Sequence, residues 1–285
     1  MKEIVVISGK GGTGKTVVTA ALASLAKDKV MADCDVDAAD LHLLLQPKIK
    51  EEGKFRSGAT AVVDKNKCIA CGKCLEVCRF SAISPDFTID PIACEGCAFC
   101  SNVCPTLAIQ MKENLSGQWF VSDTRFGPFV HARLAIAEEN SGKLVALVKK
   151  KAKELAKAKK ASFIIVDGSP GIGCPVIASL SGADCALVVT EPTLSGLADA
   201  KRVINVAKHF RIPVKLIINK FDLNLAVTKK IANYCKEGNI GLLGKLPFDK
   251  TVVEAITVQK TLLEASSENM KKTIRDIWLK LKNQL

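Results

Sequence analysis

Residues 4–17 read Ile4-Val5-Val6-Ile7-Ser8-Gly9-Lys10-Gly11-Gly12-Thr13-Gly14-Lys15-Thr16-Val17. The four β-branched residues at the start have the composition of a buried strand. Val17 to Ala26 continues as an apolar helical run. Between them, Gly9, Gly14, Lys15 and Thr16 stand at the spacing G-x4-G-K-[ST]. Such a loop curls so that its backbone N–H groups face phosphate oxygens, and the new helix aims its positive end at them. Gly9, Lys10, Gly11, Gly12, Thr13, Gly14, Lys15, Thr16 and Val17 are therefore the expected nucleotide contacts. Lys15 is expected on the β/γ-phosphates and the Thr16 hydroxyl on Mg²⁺.

The same strand-then-acid pattern recurs downstream. Val30 to Ala32 leads into Asp33, Asp35 and Asp37, and Phe163 to Val166 leads into Asp167. Further strand-like runs are Cys185 to Thr190 and Val214 to Asn219. Short apolar strands alternating with helical stretches predict an α/β fold, a doubly wound and mostly parallel sheet with its site at the carboxyl ends of the strands. Asp167 is expected to hold Mg²⁺ together with Thr16.

Eight of the chain's 12 cysteines fall between residues 68 and 104. Cys68, Cys71, Cys74 and Cys78 have the spacing C-x2-C-x2-C-x3-C, and so do Cys94, Cys97, Cys100 and Cys104. In this run the fourth cysteine of each set ligates the other cluster. The expected [4Fe–4S] ligand sets are thus Cys68, Cys71, Cys74 and Cys104 for one cluster, and Cys78, Cys94, Cys97 and Cys100 for the second. Zinc sites use two ligand pairs with a longer gap between them, which this run lacks. A shift of 26 residues lays Val63-Asp64 on Ile89-Asp90 and Ala82-Ile83 on Ala108-Ile109, the register of a duplicated half-unit. Arg79 stands where the second half has Pro105. Cys34 and Cys185 read as small core residues. Cys174 sits in a loop, where a further metal site shared across a dimer stays open.

Lys10, a second lysine inside the loop, gives the pattern K-G-G-x-G-K-T. With it the chain resembles the MinD/ParA/Mrp superfamily of P-loop ATPases with a deviant phosphate loop, here carrying an inserted two-cluster ferredoxin domain. The resemblance implies a homodimer in which Lys10 reaches across to the partner's nucleotide, so that Lys10, Lys15 and Asp35 form the catalytic set. Asp35 would position or activate the attacking water, and Asp33 would join Thr16 and Asp167 on Mg²⁺. Asn219, in Asn219-Lys220-Phe221-Asp222, would contact the base, and a later loop with Pro247 and Asp249 would close on it. The N-K-x-D spacing also suits guanine, but the resemblance favours ATP. The stretches His131 to Leu134 and Glu138 to Val145 resemble the ferredoxin-containing members, with no mechanism attached.

The expected domains are an ATPase domain of residues 1–60 and 113–285 and a ferredoxin insert of residues 61–112, with Lys48 to Ala59 and Glu113 to Gln118 as borders. The 285 residues carry a formal charge of +12 and are 48% hydrophobic, which suits a globular chain. Start and composition give no signal peptide and no membrane span, and the expected location is cytoplasmic. Residues 141–160 hold eight lysines and one glutamate, read as a solvated helix face. No nucleic-acid reading motif is present. Met270 to Leu285 has helical apolar spacing, read as a docked final helix, with peripheral membrane contact as the alternative. The expected function is a nucleotide-switched dimer coupling ATP turnover to electron transfer, or to metal-cofactor or cluster assembly, on a redox partner or client protein. The other reading is a positioning or regulatory ATPase whose clusters are structural or redox-sensing.

Overall fold

The computed structural model describes residues 1–135 and 141–285. The chain begins β1 (Lys2–Ser8), α1 (Lys15–Leu25), β2 (Lys29–Asp33), α2 (Leu41–Leu45) and β3 (Lys48–Val63). It continues α3 (Lys73–Val77), α4 (Phe99–Asn102), β4 (Ile109–Thr124), β5 (Gly127–Leu134), α5 (Ser141–Ala158), β6 (Phe163–Pro170) and α6 (Cys174–Leu180). It ends β7 (Cys185–Thr190), α7 (Leu194–His209), β8 (Val214–Asn219), α8 (Leu225–Glu237), β9 (Gly241–Leu246), α9 (Thr251–Thr257), α10 (Leu262–Ala265) and α11 (Glu268–Asn283).

Among the described residues nine strands form one sheet in the order β3-β4-β5-β2-β6-β1-β7-β8-β9. From β5 to β9 every neighbouring pair is parallel. β1 lies centrally, between β6 and β7, and its interior residues are fully buried. Alternate side chains of a strand point to opposite faces. Ile4 and Val6 join a core cluster with Val18, Leu22, Ile274 and Ile277, from α1 and α11. Glu3, one residue out of phase, meets Lys149 of α5 on the other face. The central sheet is therefore covered on both sides, as its continuous apolar strands require.

The final helix α11 buries Met270, Ile274, Ile277, Trp278 and Leu281. Trp278 sets its ring edgewise on Phe163, centroids 5.4 Å apart. The apolar face that a membrane-seeking tail would expose is thus spent on the core. Among the described residues no helix is long and apolar enough to cross a membrane.

The chain divides into two compact units. The first comprises Met1–Gly53, Trp119–Arg133 and Ser141–Leu285, and the body of the second is Lys54–Gln118. The chain crosses between them within β3 and β4, each 16 residues long. The stretches read as borders are therefore strand, although Lys48 to Lys54 lacks the apolar alternation that marks one.

Inside the second unit the duplication is visible in the backbone. The Asp64 N–H donates to Ala108 O (2.7 Å), and the Asp90 N–H donates to Ala82 O (2.8 Å), the same bond after a 26-residue shift with the halves exchanged. Left-handed residues also repeat: Ala70 with Gly96, Gly72 with Ala98, Ser81 with Leu107. The core of this unit is Ala61, Cys74, Ile83 and Ile109, with Cys78, Cys94, Cys100 and Cys104 packed against it.

Candidate functional site

Parallel pairing brings the ends of the strands to one edge of the sheet, and the residues singled out in the first unit sit there. Ser8 closes β1, Asp33 closes β2, and Asn219 closes β8. Asp33 and Asp167 are register partners across β2 and β6. The loop after β1 turns through left-handed Gly12 (φ 77°) and Gly14 (φ 91°), which only glycine adopts without strain. A Cβ at Gly14 would also overlap Asn219 Nδ2.

Lys15 is almost wholly buried, with its ammonium 3.0 Å from Asp167 Oδ1 and 3.2 Å from Asp35 Oδ2. Burial works to lower its pKa, but Asp167, Asp35 and Asp33 prevail and hold it above the ordinary lysine value. Burial pushes the Asp35 carboxyl up against the pull of Lys15. The Thr16 hydroxyl donates to Asp167 Oδ2 (2.7 Å). Thr19, unnoticed in the sequence, donates to the other oxygen, Oδ1, at 2.9 Å. It stands one helical turn after Thr16 on the same face, which was the signal to follow.

Two of the expected contact residues also make hydrogen bonds within the chain. Asp33, expected on Mg²⁺, is fully buried, and its two oxygens accept from the Asp35 N–H (3.0 Å) and the Leu41 N–H (3.2 Å). It braces the loop that carries Asp35. Asn219, expected on the base, donates from Nδ2 to Thr13 O (2.8 Å) and accepts the Lys220 N–H on Oδ1 (3.0 Å). It holds the phosphate loop against β8. Asp249 accepts from both the N–H and the hydroxyl of Thr251, while Asp222 accepts the Phe248 N–H (2.7 Å) and so ties the 247–249 loop to the end of β8. Pro247 opens that loop. Lys10 extends to Glu191 Oε1 (2.8 Å) and Ser195 Oγ (3.2 Å), neither of which the sequence marked.

Two cavities of the second unit are lined by cysteines. One is lined by Cys68, Cys71, Cys74 and Cys104, beside Val63 and Ile109. The other is lined by Cys78, Cys94, Cys97 and Cys100, beside Ala61 and Met111. Each takes three thiols from one run and one from the other. Cys104 Sγ accepts the Ala108 N–H at 3.3 Å. Among the described residues no three His, Cys, Asp or Glu side chains draw together tightly enough to hold a single metal ion. Cys174 is exposed at the start of α6, while Cys34, Cys185 and Cys235 are buried. Glu138, Glu139 and Asn140 lie outside the described residues.

A glycine loop from a central parallel strand into a helix, with a buried lysine and acids at neighbouring strand ends, defines a P-loop nucleotide-binding protein. The chain belongs to the CobQ/CobB/MinD/ParA nucleotide binding domain family, whose model matches residues 4–262. An uncharacterized protein of Methanocaldococcus jannaschii is 36% identical over 286 residues, covering 98% of this chain and 96% of its own. The pyruvate synthase subunit PorD of Methanothermobacter marburgensis is 35% identical over 71 residues, 22% of this chain and 88% of that protein. The structure of the septum site-determining protein MinD complexed with Mg-ADP, from Pyrococcus horikoshii, superposes with a TM-score of 0.60 at 17% identity. It covers 99% of this chain and 96% of that one, and so shares the fold.

Proposed function

We propose that this protein is an ATP-driven iron–sulfur switch: a homodimer whose nucleotide state governs two [4Fe–4S] clusters and their traffic with a partner protein. The observation that carries this reading is the sorting of eight cysteines into two cavities by the crossed pattern, in one chain with a P-loop site. Soft thiolate donors select iron–sulfur or zinc. Four thiols lining one cavity match the four-thiolate ligand set of a [4Fe–4S] cluster. The local likeness to a pyruvate synthase subunit supports a redox setting. The clusters would supply one-electron storage.

In the nucleotide site, Lys15 already sits against two carboxylates in place of phosphate. An incoming triphosphate gives it new partners and frees Asp35 to orient a water. Thr16 and Asp167, in mutual contact, are the pair that would hold Mg²⁺, which neutralises charge on the phosphates. Asp33 then serves as the brace of the Asp35 loop. Lys10 completes the partner's site. Differential affinity of ATP for the closed dimer drives the change of state. We assign the output to electron delivery rather than cluster handover, because crossed ligation ties both halves of the insert to both clusters. The buried apolar face of α11 disfavours membrane contact through that helix.

Anaerobic purification followed by iron and sulfide analysis, electron paramagnetic resonance and nucleotide competition tests this reading. Two four-iron clusters per chain and selective ATP binding are expected. Sulfur-bound zinc or selective GTP binding would overturn it.

A further inference from the structure

We propose that Glu191 is a positioning residue that holds Lys10 on its own subunit until a second nucleotide-bound copy takes it, with Lys220 keeping the carboxylate paired when Lys10 leaves. This rests on the reading of Lys10 as a residue that acts across the homodimer.

Glu191 follows β7 at the same sheet edge as the phosphate loop. Its Oε1 lies 2.8 Å from Lys10 Nζ, and its Oε2 lies 3.4 Å from Lys220 Nζ. Lys220 is itself anchored, donating to Gly12 O at 3.2 Å. One carboxylate thus joins both flanks of the glycine loop. Burial alone would raise the Glu191 pKa, but Lys10 and Lys220 hold it below the ordinary glutamate value.

The backbones around this pair are closely packed. A Cβ at Gly9 would overlap the Asp199 main chain, so the loop and α7 interlock. Glu191 O accepts the Thr193 N–H (2.8 Å), and Thr193 Oγ1 in turn caps α7 by accepting the Gly196 N–H (2.9 Å). The Lys10 side chain is therefore the movable part, and its four-carbon stem can swing while its Cα stays in place. Closure of a dimer has to break the Lys10–Glu191 pair. A half-buried carboxylate left bare is costly, and its second lysine removes that cost. The pair thus sets a threshold for closure, and Lys220 keeps the threshold low enough to cross.

The test is the dependence of dimerisation on a non-hydrolysable ATP analogue, followed by sedimentation velocity for the full chain with Glu191→Gln, Lys220→Met and Lys10→Ala. Glu191→Gln should dimerise at about two- to fivefold lower analogue concentration, the scale of a partly exposed ion pair. Lys220→Met should need more analogue than the parent, and Lys10→Ala should not dimerise with it. If Lys10→Ala dimerises like the parent, the cross-dimer reading fails and this proposal with it. If Lys10→Ala loses the dimer but Glu191→Gln leaves the midpoint unchanged or raises it, the holding role alone is wrong. A Glu191→Gln chain that melts earlier and closes less readily would mean a merely structural glutamate.

Discussion

The Glu3 carboxylate on β1 meets the Lys149 ammonium on α5 at 2.6 Å, with both side chains sealed from solvent. Lys149 also donates to Ser179 O and Ser181 O, so it links the sheet to α5 and to the end of α6. Lys153 adds a second contact to Glu3 at 3.0 Å. Breaking a buried pair from one side leaves an uncompensated charge, whereas replacing both partners with apolar groups is often neutral. Glu3→Leu or Lys149→Met alone should therefore destabilise the chain by about 3–5 kcal/mol, and the double variant should cost less than the two singles together. Urea unfolding of the two singles and the double measures this; additive losses would contradict it.

His131 gives a pH prediction. It stands on β5 between the rings of Phe129 (4.7 Å) and Phe120 (4.9 Å), and burial lowers its pKa from 6.5 to about 4. The folded chain then takes up this proton less readily than the unfolded one. The contribution is intact above about pH 6.5 and is lost as pH falls from there toward 4. The scale is about 3 kcal/mol. His131→Phe, which keeps the stack, should flatten the stability profile between pH 4 and 6.5; an unchanged slope would assign the acid loss to other groups.

The nucleotide site predicts a split between binding and turnover. Asp35→Asn should retain ATP while turnover falls about 10²–10⁴-fold, the range for a lost general base. Thr16→Ala should lose magnesium dependence and turnover together. Equilibrium binding of a fluorescent ATP analogue, set beside phosphate release, separates the two effects. Normal turnover in Asp35→Asn would remove that residue from the chemistry.

The crossed cavities make a selective prediction. Cys104→Ser should damage the cluster expected at Cys68, Cys71 and Cys74, and Cys78→Ser the one at Cys94, Cys97 and Cys100. Each variant should keep about half the iron, with a different paramagnetic signal remaining in each. If Cys78→Ser and Cys104→Ser each removed the signal of their own run, the pairing would be uncrossed.

What the sequence disclosed was local. The phosphate loop and the cysteine runs are contiguous patterns whose spacing carries the chemistry, and the 26-residue repeat reappears as exchanged backbone bonds. What it hid depends on contacts far apart along the chain. Lys149 lies in a run of lysines that reads as a solvated face, and nothing near it marks the one turned inward to Glu3. Asp33 and Asn219 sit at the expected strand ends, and the backbone bonds they make there are not visible from spacing. The polar start of β3 has no apolar alternation, because ladder bonds rather than a buried face make it a strand.

The coupling of nucleotide to clusters is tested most directly by the rate at which the reduced, cluster-loaded protein passes electrons to an acceptor, followed by stopped flow with and without a non-hydrolysable ATP analogue. The account predicts a clear change in that rate on adding the analogue, absent in Lys15→Ala. Equal rates with and without nucleotide, in a protein shown to bind it, would contradict it.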